Sequence, residues 1–212
     1  MSSPQSRLHA RLSSCLIALA LVLVVLGTSG CASFYVDSAT KEVPVSLFQK
    51  PATPKPVQVL FEFQTKGALN AKGTEFLKAQ VIDQVKTSGL FSAVEETPVA
   101  DGALLTITIN NVPVTDDAFA KGFVTGFTFG LVGSQVTDGF VCTMTYRTTA
   151  QPQPKSAAAR HAIHTQMGAT SAPTNARKAE SIDAAVRTMT RDLVSTTLND
   201  LSRVRPTLSD PT

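Results

Sequence analysis

The sequence predicts an α+β fold: a mixed sheet of about four to five strands packed by two helices, with a glycine-rich apolar insert. Three observations predict it. Apolar residues alternate with period two through 57–63, 103–112 and 140–147, the mark of half-buried strands. Segments 71–88 and 174–204 instead repeat apolar residues at helical spacing. The resulting order, β-α-β-β, insert, β-β-α, suits helices covering one face of a sheet.

Each element follows from its residues. Val57, Val59, Phe61 and Phe63 alternate with Gln58, Leu60 and Glu62, giving a strand with one apolar face. In helix 71–88, Leu77, Val81 and Val85 share a stripe with Ile82 beside them; Gly89 ends the helix and Leu90 supplies the contact of a glycine C-cap. Phe91 to Glu95 is a short strand. Leu105, Ile107 and Ile109 share one face of the next strand, with Thr106, Thr108 and Asn110 on the other. Phe140, Cys142, Met144 and Tyr146 alternate with Val141, Thr143, Thr145 and Arg147. Residues 151–160, rich in Pro and Ala, predict a loop, and Ile163, Thr165 and Met167 a return strand. The last helix, 174–204, carries Ile182, Val186, Met189 and Leu193 on one stripe, extended by Leu198 and Leu201. Arg187, Arg191, Asp192 and Arg203 fall mostly off that stripe, which docks the helix on the sheet.

A length of 212 residues bounds the chain to one domain with an appendage. The formal charge is +3, and Arg7 and Arg11 are its only Lys or Arg before position 30, so the body is near neutral. That excludes a strongly basic nucleic-acid binder.

The appendage is N-terminal. Residues 1–11 hold Arg7, His9 and Arg11 and no acid, and Leu16 to Leu26 is unbroken apolar chain. A membrane-spanning helix needs about 20 such residues, so a shorter run after positive charge predicts a signal peptide over 1–30. Gly27, Thr28, Ser29 and Gly30 are small and precede Cys31. Together they resemble the lipobox of bacterial lipoproteins: Ser29 and Gly30 match the positions before the Cys, while Thr28 stands where the family usually has Leu. The resemblance implies cleavage between Gly30 and Cys31, diacylglycerol on the Cys31 sulfur and an acyl chain such as palmitate on the new amine. Ala32 stands where an Asp commonly retains such proteins at the inner membrane, which implies the periplasmic face of the outer membrane. The other reading is an ordinary secretory signal cut elsewhere, with Cys31 incidental.

Residues 31–56 predict the acylated Cys and a Pro-containing tether, with Pro44, Pro51, Pro54 and Pro56. Flexible chain of that length reaches about 25–30 Å and would stand the periplasmic domain, 57–204, off the lipid. Two apolar clusters, Phe34 to Val36 and Val45 to Phe48, interrupt it and dock on the domain or on headgroups. Residues 205–212 are a polar tail. Cys15 leaves with the signal peptide and Cys31 is the lipid site, so Cys142 has no partner for an intrachain disulfide; it predicts a small buried hydrophobe.

The insert, 118–139, is the most unusual stretch. Gly122, Gly126 and Gly130 are spaced by four among Phe123, Phe127, Phe129 and Leu131, with no charge between Lys121 and Asp138. As a helix, the glycines form a stripe that admits another backbone. As a strand, the aromatic residues share one face. Either it is a core element with glycine bends, or it is a surface for a bilayer or for sister subunits. On the second reading Phe123, Phe127 and Phe129, with Gly122, Gly126 and Gly130, are the candidate membrane or subunit contacts.

Catalytic patterns are missing. HExxH, CxxC, phosphate-loop and GxSxG motifs do not occur. His161 and His164 fall on opposite faces of a strand, which separates them as metal ligands, and predict solvent-facing or loop residues. Asp116-Asp117 and Glu95-Glu96 predict solvated pairs. No catalytic residue, metal or cofactor is expected.

The helix-to-strand phrase Ser88-Gly89-Leu90-Phe91-Ser92-Ala93-Val94 resembles one found in small envelope lipoproteins, and the arrangement is similar to the amino-terminal domain of TolB-type proteins and to curli-secretion-type lipoproteins. The resemblance covers about half the chain and implies docking or assembly work rather than catalysis. The expected function is a non-enzymatic binding or accessory subunit in envelope assembly, transport or secretion. Its expected partners are the membrane, through the lipid, an envelope protein and further copies of the chain. The alternative is a self-assembling ring or channel component whose glycine-rich segment contacts the membrane.

Overall fold

The computed structural model describes residues 32–100, 103–113, 135–168 and 171–204. The chain divides into two units, Met1–Ala32 and Ser33–Thr212. The described residues of the second form an eight-stranded mixed sheet and two helices. The elements are β1 (Ala32–Asp37), a 3-10 turn (Val45–Leu47), β2 (Val57–Thr65), β3 (Ala68–Leu69), α1 (Ala71–Thr87), β4 (Val94–Glu95), β5 (Leu104–Pro113), β6 (Gln135–Thr148), β7 (Gln151–Met167), β8 (Ala176–Ala179) and α2 (Ile182–Arg203).

The sheet order is β3-β2-β5-β6-β7-β1-β8, with β4 beside β2. β2 pairs in parallel with β5 and β4; β5 with β6, and β6 with β7, are antiparallel. The predicted alternation is what the sheet uses. Val57, Val59, Phe61 and Phe63, then Leu105, Ile107 and Ile109, then Phe140, Cys142 and Met144 all point to the helix side and are buried.

Both helices begin on a side-chain cap. Asn70 Oδ1 accepts from Gly73 N at 2.9 Å, and Ser181 Oγ from Ala184 N at 3.1 Å, each satisfying a backbone donor left free at a helix start. α1 ends at Gly89, whose φ of +70° is the left-handed conformation a glycine adopts after a helix, and Leu90 is buried behind it. The helices run parallel: Gln80 Nε2 donates to the Arg187 carbonyl at 2.8 Å, and Gln84 Nε2 to that of Arg191 at 3.1 Å, one turn further along each. Arg187 adds a cation–π contact, its guanidinium 4.1 Å from the centre of the Phe76 ring. Leu77 and Val81 from α1 and Met189, Leu193 and Leu198 from α2 close the core over the sheet.

The register gives the fold two distinct ends. β1 runs against β7, since Asp37 meets His164 whereas Thr40, three residues on, bonds the Arg160 carbonyl. One end, the upper, therefore gathers Ala32, Thr65, Pro113, Gln135, Met167 and Ala179, and both helices start there. The lower end gathers the start of β2, the β6–β7 hairpin and both helix C-termini.

Four expectations change. The sheet has eight strands rather than four to five, because the N-terminal β1 and the short strands β3 and β8 join it. Residues 151–160 are strand, not loop: β7 runs unbroken from Gln151, with Pro152 and Pro154 beside an irregularity in the ladder between Tyr146 and Thr148, where a missing amide is tolerated. The first turns expected of helix 174–204 are instead β8, which pairs with β1 through Phe34 opposite Ala179. Residues 32–56 do not run loose, for Val36 and Phe48 are buried and Val43 N donates to Ser195 Oγ at 2.9 Å.

Candidate functional site

At the lower end, four chain segments enclose a cleft of about 530 Å³. Residues 49–55 form one wall. The turn after α1 brings Leu90 and Phe91, the β6–β7 hairpin brings Tyr146 and Lys155, and the last turn of α2 brings Leu201 and Arg203. The floor is apolar, with the Phe91 and Tyr146 rings in contact at 5.8 Å and tilted by 42°.

The lining has one sign of charge. Among the described residues, Lys50, Lys55, Lys155 and Arg203 line the cleft, and no Asp or Glu does. Each is placed by local structure. Lys50 reaches over the end of α1: a Cβ on Gly89 would lie 2.9 Å from its Nζ, so the glycine leaves room for the ammonium beside the negative end of the helix. Arg203 is held by Asn199 Oδ1 at 3.2 Å and by the Leu47 carbonyl at 3.1 Å. The Ser92 amide donates to the Lys55 carbonyl at 3.1 Å, fixing that wall to the turn after α1. Gln49 N donates to Ser202 Oγ at 3.0 Å, fixing the other side to α2. Cations around an apolar floor can hold an anionic group whose remainder packs against rings. A second, shallower cavity between α1 and Glu96 is lined by both signs of charge, with Lys78 paired to Glu96. That carboxylate raises the Lys78 pKa above the ordinary lysine value.

The histidines are not solvent-facing or loop residues, as the sequence suggested. Both lie within β7, with His161 0% and His164 2% exposed. They do point to opposite faces. His161 Nδ1 accepts from the Ala162 amide at 2.8 Å, so Nε2 carries the hydrogen and donates to Asp192 Oδ2 at 3.1 Å. Arg177 donates to the same oxygen at 2.5 Å. On the other face His164 Nε2 lies 3.4 Å from Asp37 Oδ2, and its Nδ1 2.8 Å from Thr137 Oγ1. Asp192, expected mostly off the buried stripe of α2, is therefore inside. Among the described residues no group of three or more His, Cys, Asp or Glu is placed to hold a metal.

Cys142 is wholly buried, and burial pushes its thiol up to about 12, with a hydrogen bond to Thr197 acting weakly the other way. Burial also lifts the Asp138 carboxyl above its ordinary value, partly offset by a hydrogen bond with Asn111. Gly30, Cys31, Gly122, Phe123, Gly126, Phe127, Phe129, Gly130 and the Asp116-Asp117 pair lie outside the described residues. Of the insert, 135–139 is the start of β6. Among the described residues no helix is long and apolar enough to cross a membrane.

No protein-family model matches the sequence, and no curated protein does. Among solved structures, the chain is similar to a single-substitution variant of the PelC dodecamer from Paraburkholderia phytofirmans, at 10% identity and a TM-score of 0.33, over 82% of this chain and 100% of that one. A second PelC dodecamer from that organism gives 9% and 0.33 over the same shares. A presumed lipoprotein from Caulobacter crescentus CB15 gives 10% and 0.23, over 69% of this chain and 82% of that one. Likeness at these scores assigns neither assembly nor activity to this chain.

Proposed function

We propose that the chain is a lipid-anchored protein of the bacterial envelope, attached through Cys31 at the periplasmic face of the outer membrane. In this reading it is a non-enzymatic binding subunit in envelope assembly, transport or secretion. The observation that carries the binding role is the cleft, whose described lining holds four cations, no carboxylate and an aromatic floor. A pocket of some 300–1,000 Å³ with few polar groups is the usual form of a ligand site. The anchor is supported by the apolar run Leu16–Leu26 and by Gly30-Cys31.

Titrating the Tyr35→Phe chain, in which Tyr146 is the remaining tyrosine, with oligogalacturonate, a polycarboxylate, and with tripolyphosphate, following tyrosine emission, tests the cleft. Binding that weakens with salt and falls about tenfold or more in Lys50→Glu/Lys155→Glu supports it. Failure of both probes at low salt, or equal affinity in the variant, sinks it. Palmitate incorporation lost in Cys31→Ser tests the anchor separately.

A second reading, a self-assembling component whose insert meets the membrane, is favoured by one observation. Pro113 and Gln135, which flank residues 114–134, lie at the same end of the sheet as Ala32. Sedimentation of the chain in mild detergent tests it, since a discrete oligomer lost on deleting residues 118–138 would support this reading and a monomer would exclude it.

A further inference from the structure

Strand β1 begins at Ala32, so no tether separates Cys31 from the sheet. The expected 25-residue stand-off is taken up within the fold: the residues after β1 run along α2 towards the lower end, where Gln49 meets Ser202. A lipid on Cys31 would hold the upper end of the domain against the bilayer. That end also carries exposed apolar side chains. Of the seven exposed large apolar side chains among the described residues, four sit there, Leu69 at 62%, Met167 at 58%, Ile182 at 43% and Val136 at 37%; Leu60 lies on the sheet face, and Val45 and Leu47 lie in the 3-10 turn near the other end. Ile182 opens the apolar stripe of α2 yet lies outside the core. Charges at this end are mixed, with exposed Lys66 and Lys72 against Glu180 and Asp183, so polybasic adhesion to anionic lipid is not the mode of contact.

We infer that the upper end, through Leu69, Val136, Met167 and Ile182, seats on the bilayer that holds the Cys31 lipid. This rests on the lipid-anchor reading. The chain outside the described fold supplies the reason for choosing a bilayer as occupant: it is the lipid-bearing residue itself, one position before β1. Interfacial apolar side chains sit about 5–10 Å into the headgroup boundary, and the acyl chains implied at Cys31 would hold the adjoining end of the sheet at that depth. The orientation points the cationic cleft away from the surface, about 33 Å down α2, whose 22 residues rise about 1.5 Å each.

The test uses the full chain, purified with its lipid and reconstituted in phosphatidylethanolamine–phosphatidylglycerol vesicles, with or without brominated acyl chains. Bimane is attached at Met167→Cys or Ile182→Cys, and at Thr53→Cys on the lower end; Cys142 is buried and stays unlabelled. Mass spectrometry reports the lipid on Cys31. The expected result is about twofold loss of emission at 167 and 182 and none at 53. Lipid-bearing protein with no loss at 167 and 182, or equal loss at all three, overturns the seat and leaves the anchor standing. Protein without lipid at Cys31 overturns both.

Discussion

His161 donates from Nε2 to Asp192 across the interface between β7 and α2, in a contact almost wholly sealed from solvent, and Arg177 from β8 binds the same carboxylate oxygen. One side chain thus ties together a central strand, the long helix and an edge strand. Asp192 is among the buried acids of the described fold, and it meets the charge of Arg177 on one side and the Nε2–H of His161 on the other.

Asp192→Ala should cost about 3 kcal/mol in urea unfolding, because removing one member of a buried pair strands the others. Arg177→Gln should cost under about 1 kcal/mol, since its side chain is 46% exposed and can turn to water. Equal losses for the two variants would mean that Arg177, not the buried pair, carries the interaction.

Gly89→Ala should cost about 1–2 kcal/mol. The loss comes from forcing a side chain into φ +70°, not from collision, as the atom a Cβ would meet is the movable Lys50 ammonium. A Lys50→Ala/Gly89→Ala double variant should recover little of it. Full recovery in chemical denaturation would make the cost steric.

The buried Cys142 thiol has a pH signature. Its folded pKa of about 12 lies above the ordinary 9.0. The unfolded chain therefore loses the proton first as pH rises, so this stabilisation is present below about pH 9 and is lost on going up towards 12. Cys142→Ser should flatten that part of the stability curve. In native protein at pH 8, iodoacetamide should leave Cys142 unmodified, and alkylation at the rate of a free thiol would contradict its burial.

Ile107→Ala, in the middle of β5 and wholly buried, should lose about 2–5 kcal/mol, whereas Leu60→Ala on the open sheet face should lose under about 0.5 kcal/mol. Thermal unfolding of the two variants checks the assignment of faces, since a larger loss at Leu60 would reverse it.

The strands that were legible are those whose burial is one-sided. Leu105, Ile107 and Ile109 announce β5 because their neighbours Thr106 and Thr108 face out. β7 was not legible at its start. Ala157, Ala158 and Ala159 show no alternation, and the strand is imposed by the β6 ladder opposite them. β8 was hidden for a similar reason, for Arg177 and Lys178 look helical until β1 pairs with them. The site was less legible still. The cations of the cleft come from positions 50, 55, 155 and 203, brought together only by the hairpin and the helix end. The carboxylates that bury the histidines lie 31 and 127 residues away in the chain.

Strand β1 has its partners, β7 and β8, more than a hundred residues downstream. A chain delivered across a membrane N-terminus first cannot complete its sheet until those residues have crossed. Until then the start of the domain has no partner strand, while β2, α1 and β5 can assemble from near neighbours. On the lipid-anchor reading, enzymes acting at Cys31 would then meet open chain rather than a closed edge, and the order of arrival, more than any gate in the finished fold, would set the time available to them.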